Sequence, residues 1–201
     1  MSRINKLTLA LAALVVFGLG APAAKADVCS VAGNIVNNCG FETGNTTGWT
    51  VVDGSGFTGV NSASAHAGGT FGLFSGPVGI LGTLTQNLVT TPGQTYNLSF
   101  WLLNGDGTPN QFQAAFNGVT LTTLTNSASF GYTLFTFNGL LATSASTQLQ
   151  FRFRHDPSFW NFDDVIVVPA GTNAVPEPMT LVLLGTGLAG VAAKLRRRKA
   201  A

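Results

Sequence analysis

From Val28 to Val168 the chain alternates apolar and polar residues with a period of two, punctuated at short intervals by glycine, asparagine and proline. A period of two sends successive side chains to opposite faces of an extended strand. The clearest case is Thr95 to Leu103. There Tyr96, Leu98, Phe100 and Leu102 share one face and Asn97, Ser99, Trp101 and Leu103 the other, after a turn at Thr91-Pro92-Gly93. Gln111 to Ala115 alternates in the same way, with Phe112, Ala114 and Phe116 on one side. Asn117-Gly118 then predicts a tight hairpin into Val119 to Leu124. Gln148 to His155 turns Leu149, Phe151 and Phe153 inward and Gln150, Arg152 and Arg154 outward. Phe71 to Ser75, Thr83 to Val89, Tyr132 to Phe137 and Asp163 to Val168 complete the predicted strands, and no stretch between them has helical periodicity.

About eight strands and no helix predict an all-β domain: a two-sheet antiparallel sandwich with the strand count of a jelly roll. The two ends of the chain follow other patterns. Arg3 and Lys6 precede an apolar run from Leu7 to Leu19 and the small-residue exit Ala24-Lys25-Ala26, the three parts of a secretory signal peptide that signal peptidase removes after Ala26. At the far end stand Val175, Pro176, Glu177 and Pro178. An apolar run from Met179 to Ala193 follows, then Lys194, Arg196, Arg197, Arg198 and Lys199. Cations beside a span are costly to translocate, so such a knot stays on the cytoplasmic side. The run covers 179–193 and contains Gly185, Gly187 and Gly190. A bilayer core takes about 20 helical residues to cross, so this segment suits a transient stop in the inner membrane better than a permanent anchor.

The chain therefore divides into a signal peptide with its helix over 1–26, a β-sandwich over 27–170, and a segment over 171–201 with a short apolar helix at 179–193 and a basic tail at 194–199. Residues 175–201 resemble the PEP-CTERM sorting signal of Gram-negative bacteria. The resemblance implies processing by an exosortase and delivery through the envelope to the cell surface or an exopolysaccharide matrix. An ordinary tail anchor with a proline-rich stem is the plainer alternative.

Removing the ends changes the meaning of the charge. The whole chain carries a formal +2, but residues 27–170 hold no lysine, two arginines and seven acids, for a net charge near −5. That excludes nucleic acid as a partner, since binding it needs a basic face on the folded domain. Cys29 and Cys39 are the only cysteines. In an oxidising compartment a disulfide is the first reading, with a metal site or a redox pair as lesser ones.

Four motifs in order carry a second resemblance: Gly40-Phe41-Glu42-Thr43-Gly44, Gly48-Trp49, Tyr96 to Trp101, and Phe162-Asp163-Asp164-Val165. Together they resemble the framework of carbohydrate-binding-module-like, galactose-binding-type jelly rolls. The resemblance implies that the first and last strands meet and share a structural Ca²⁺. Glu42, after the first strand, and Asp163, opening the last, would then face each other, with Asp163 preferred over Asp164 because it would share the inward face of Val165 and Val167. The plain alternative leaves these acids as solvated turn and edge residues. Near the C-terminal end of the domain, Trp160 with Arg154 and Phe159 could form a platform for a sugar. Alternatively, Trp160 plugs the core while the arginines neutralise nearby acids.

Catalysis has little support, because the chain has only His66 and His155 as histidines and no serine in a nucleophile elbow. The sequence therefore points to a non-enzymatic exported protein that binds exopolysaccharide. A purely structural matrix protein and a glycan-active enzyme are the alternatives.

Overall fold

The structure, a computed structural model, describes residues 28–171. The signal segment 1–26, the sorting residues 175–178, the apolar run 179–193 and the basic tail 194–199 lie outside the described residues. Among the described residues no helix is long and apolar enough to cross a membrane.

Among the described residues there are ten strands: β1 (Thr50–Val52), β2 (Thr58–Asn61), β3 (Gly72–Ser75), β4 (Gly82–Val89), β5 (Thr95–Asn104), β6 (Asn110–Phe116), β7 (Val119–Thr125), β8 (Phe130–Leu141), β9 (Ser146–His155) and β10 (Trp160–Pro169). They form two five-stranded sheets, β1-β4-β9-β6-β7 and β2-β3-β10-β5-β8, with antiparallel pairing throughout. This is the all-β jelly-roll sandwich that the alternation predicts. All eight predicted strands are found. β1 and β2 are additional, because three and four residues are too few to show a period of two. They exist through pairing with β4 and β3.

The core lies where the alternation placed it. Tyr96, Leu98, Phe100 and Leu102 of β5 are each 3 % exposed or less. Facing them across the sandwich are Phe112, Ala114 and Phe116 of β6 and Leu149, Phe151 and Phe153 of β9, all buried. Phe100 sits at the centre, with its ring centroid 5.2 Å from Phe151, 5.3 Å from Phe162 and 5.7 Å from Phe112. Burying each such ring stabilises the fold by about 1.5–3 kcal/mol. At the hairpin between β6 and β7, Asn117 and Gly118 both have positive φ, 53° and 76°, the turn that keeps the strands' right-handed twist.

Two features depart from the expected frame. The segment before Glu42 is not a strand. It belongs to a turn-rich strap, residues 31–49, whose first part is tied by a disulfide from Cys39 back to Cys29. The strap is fastened to β10 by Ile35 N to Val167 O at 3.0 Å and Val165 N to Cys39 O at 2.9 Å, and to β4 by Asn37 N to Gln86 Oε1 at 2.8 Å. Trp49, at its end, packs on Phe41 and Phe151 and donates Nε1 to Asn38 O at 3.2 Å.

The second departure is a β-bulge. Asp163 lies within β10, not at its start, and the pairing with β5 shifts register between Asp163 and Ile166, with Asp164 at φ 53°. One extra residue lets Phe162 and Val165 both point into the core. Asp163, opposite Trp101, is thereby turned outward, away from the face of Val165 and Val167 that it was expected to share.

Candidate functional site

The bulge builds one polar cluster. Asp163 is 1 % exposed although it faces out of the sandwich, because the loop between β2 and β3 folds over it. That loop supplies His66, whose backbone N–H donates to Asp163 Oδ2 at 2.7 Å and whose Nδ1 lies 2.7 Å from Asp164 Oδ2. The His66 ring stacks on Trp101 at 4.1 Å and 20°, with Tyr132 edge-on at 5.0 Å. Tyr132 Oη in turn donates to Ser64 O and pins the loop from its other side. Glu42 reaches the same loop from the strap, Oε1 accepting from Thr70 N at 2.8 Å and Phe71 N at 3.1 Å. Gly40 leaves space between them: a Cβ there would lie 3.3 Å from Asp164 Oδ1 and 3.6 Å from Asp163 Oδ1.

The fold thus brings Glu42, Asp163 and Asp164 to one place. Burial first, and the Asp164 and Glu42 carboxylates next, push the Asp163 carboxyl up to about 8 from its ordinary 3.8. Burial and the same two aspartates also raise the Tyr132 phenol. Among the described residues, however, no three His, Cys, Asp or Glu side chains are arranged as a metal shell by themselves. A cation here needs backbone carbonyls to complete its coordination.

The proposed sugar platform does not form. Trp160 is fully buried, with its ring 5.7 Å from Phe112 and 6.1 Å from Phe130, and its Nε1 donates to Arg154 O at 2.9 Å. An inward position at the start of β10 makes it a core plug with no face left for a ligand. Arg154 is held bidentately by Asp156, Nε to Oδ1 and Nη2 to Oδ2, both at 2.8 Å. That guanidinium holds the Asp156 carboxyl down at about 2. Only Phe159 of the three is exposed, at 38 %, where it packs edge-on against Phe57 and Phe74 at the loop end of the sandwich.

The site that the sequence did not single out lies on the outer face of the sheet β1-β4-β9-β6-β7. Register aligns its outward side chains in rows across the strands. One row is Val52, Thr83, Arg152, Gln113 and Thr123, and the next is Thr50, Thr85, Gln150, Ala115 and Thr120. Ala115 and Gly118 stop short, whereas Gln113, Gln148, Gln150 and Arg152 stand up around them, leaving a hollow of about 260 Å³. Arg152 Nε donates to Gln150 Oε1 at 2.9 Å, which fixes the guanidinium plane beside the amide. Side-chain amides offer a donor pair and an acceptor in one plane, and guanidinium offers a fork of donors; both suit the adjacent hydroxyls of a sugar ring. Alternation had already placed Gln150 and Arg152 outward. The missing signal was the partnership of β6 with β9, a contact between residues some forty positions apart.

Comparison with known proteins assigns the fold and geometry to a family. The carbohydrate binding domain family matches residues 33–164. The chain belongs to that family. In addition, the PEP-CTERM protein-sorting motif matches residues 174–198, which marks this carbohydrate-binding protein for export to the cell surface and for exosortase processing. No curated protein matches the chain by sequence. Among solved structures, TmCBM61 in complex with β-1,4-galactotriose is similar, with a TM-score of 0.56 and 17% identity over 68% of this chain and 98% of that one. The enzymatically active domain of tailspike protein 4 from bacteriophage CBA120 is similar too, at TM-score 0.52 and 15% identity over 68% of this chain and 21% of that one. At these identities the likeness concerns the fold.

Proposed function

We propose that this protein is a non-enzymatic, surface-directed module that holds exopolysaccharide in the amide-lined hollow above Ala115. In this reading the chain crosses the inner membrane of a Gram-negative cell, pauses there through residues 179–193, and is processed by exosortase into the envelope or matrix. The observation that carries the binding reading is the ring of Gln113, Gln148, Gln150 and Arg152 around a floor of two small residues. It is a shallow recess with planar polar groups and no acid in its lining, suited to a glycan chain. A glycosidase pair has no support in Glu42 and Asp163, since a catalytic carboxyl must reach its substrate and Asp163 is 1 % exposed.

The acidic cluster is proposed as a Ca²⁺ position. Support comes from three converging carboxylates, two of them buried. Glu42, Asp163 and Asp164 would hold the ion together with nearby carbonyls, tying strap, loop and β10 together. Its role would be structural.

Affinity electrophoresis of the purified protein through gels cast with the strain's exopolysaccharide tests the glycan reading. Retention that falls at least tenfold in the double variant Gln113→Ala/Gln150→Ala, with an unchanged melting temperature, is the expected result. Equal retention of the double variant and the wild type would remove the hollow from consideration. Mass spectrometry of the envelope protein at both termini tests the sorting reading, which fails if residues 179–201 are still attached.

A further inference from the structure

The distribution of cations narrows the kind of sugar. Between residues 28 and 171 the chain has six acids and two positive side chains that are always charged, Arg152 and Arg154. Arg154 is neutralised bidentately by Asp156. Among the described residues Arg152 makes no ion pair. Its side-chain hydrogen bond is through Nε to the neutral Gln150, which orients the guanidinium, and the residue lines the hollow. No carboxylate lines that hollow. An unpaired, oriented guanidinium is thus set among three glutamines in a domain that is otherwise acidic.

We propose that the hollow selects glycans whose sugars carry a carboxylate, that is, uronic acid residues, with Arg152 as the group that recognises the carboxylate and Gln113, Gln148 and Gln150 as hydroxyl partners. The inference rests on the glycan-binding reading above. The Arg152 fork presents two parallel N–H donors, the spacing that a planar carboxylate accepts and that a neutral CH₂OH does not. The domain's net negative charge does not cancel this preference at physiological salt. Asp156 is engaged by Arg154, and Asp163 and Asp164 belong to the opposite sheet, with the packed core between them and Arg152. The guanidinium is therefore the charge that a sugar in the hollow meets first.

The test uses the purified protein with polygalacturonate and alginate, each paired with its own carboxyl-reduced polymer, and with dextran sulfate, in affinity gels at 0.15 M salt. The expected result is that at least one polyuronate is bound about fivefold or more tightly than its reduced form, the size of one exposed charge-assisted contact. In Arg152→Gln that ratio falls to about one, and in Arg152→Lys it is intermediate, because lysine keeps the charge without the fork. Circular dichroism melts confirm that both variants fold, as expected for an exposed side chain. A ratio near one in the wild type, a ratio that Arg152→Gln leaves intact, or dextran sulfate held as tightly as the better polyuronate would each overturn carboxylate recognition while leaving glycan binding standing. Retention by none of these polymers, nor by the exopolysaccharide, would overturn both readings.

Discussion

Replacing Asp163 by asparagine, with stability followed against pH, tests the acidic cluster most directly. The carboxyl titrates near 3.8 in the unfolded chain and is pushed up to about 8 in the fold. Because the folded pKa is the higher one, the native state holds a proton that the unfolded chain gives up, and stability falls as pH rises between these two values. Each pH unit in that window costs about 1.4 kcal/mol, so metal-free protein should lose up to about 4 kcal/mol between pH 4 and pH 7. For a domain of this size that is a drop on the order of 10 °C in melting temperature. Asp163→Asn has nothing to ionise at this position. The difference between the wild-type and variant curves therefore isolates the one carboxyl, including from groups that titrate oppositely. Thermal melts in chelator from pH 4 to pH 8 should show the wild type falling away from a flatter variant. Adding Ca²⁺ should restore the wild type at pH 7 to 8, because the ion favours the ionised carboxylate, and should leave the variant unmoved. Parallel curves in chelator would refute the reasoning about burial, and wild-type melts indifferent to Ca²⁺ at pH 8 would refute the ion.

His155 should act in the opposite direction. It is buried beside Trp160, and Nε2 donates to Gly105 O at 3.2 Å. Burial lowers its pKa, so stability is complete above about pH 6.5 and declines as pH falls; His155→Gln, which keeps a donor, should flatten that acid limb in melts at pH 7 and pH 5. Trp160→Ala should cost about 3–5 kcal/mol in urea unfolding, while glycan retention by the folded protein stays at the wild-type level; lost retention with an intact melt would restore Trp160 as a ligand. Gly72→Ala should destabilise by about 1–3 kcal/mol in the same assay, since its Cβ would stand 1.8 Å from Ser64 O and displace the loop that covers Asp163.

Period two was sufficient to locate the long strands because their inward residues are large and their outward ones polar, as in β5 and β9. It failed at β10, where Asp163 and Asp164 occupy a bulge. An inserted residue reverses every later facing, and nothing in the local sequence announces it. The convergence of Glu42 with Asp163 was readable only through resemblance, since the strap that carries Glu42 is held by long-range backbone bonds and not by a pattern of its own. Trp160 shows the reverse difficulty. A tryptophan beside an arginine and a phenylalanine reads equally as platform or plug, and only the inward start of β10 decides between them. The hollow escaped notice because glutamine and threonine on a strand look like ordinary solvated residues until register sets Gln113 beside Arg152.

The position of the two arginines has a consequence for survival outside the cell. Both lie on β9, the central strand of its sheet, and no lysine occurs between residues 28 and 171. A trypsin-like protease must draw several residues of extended backbone into its cleft, and here the bond after Arg152 lies in backbone paired to both β4 and β6, while Arg154 and His155 are paired to β6. In its folded state this domain keeps both of its trypsin target bonds in sheet backbone, so its lifetime among secreted proteases is set by how rarely the sandwich, or the end of β9, opens.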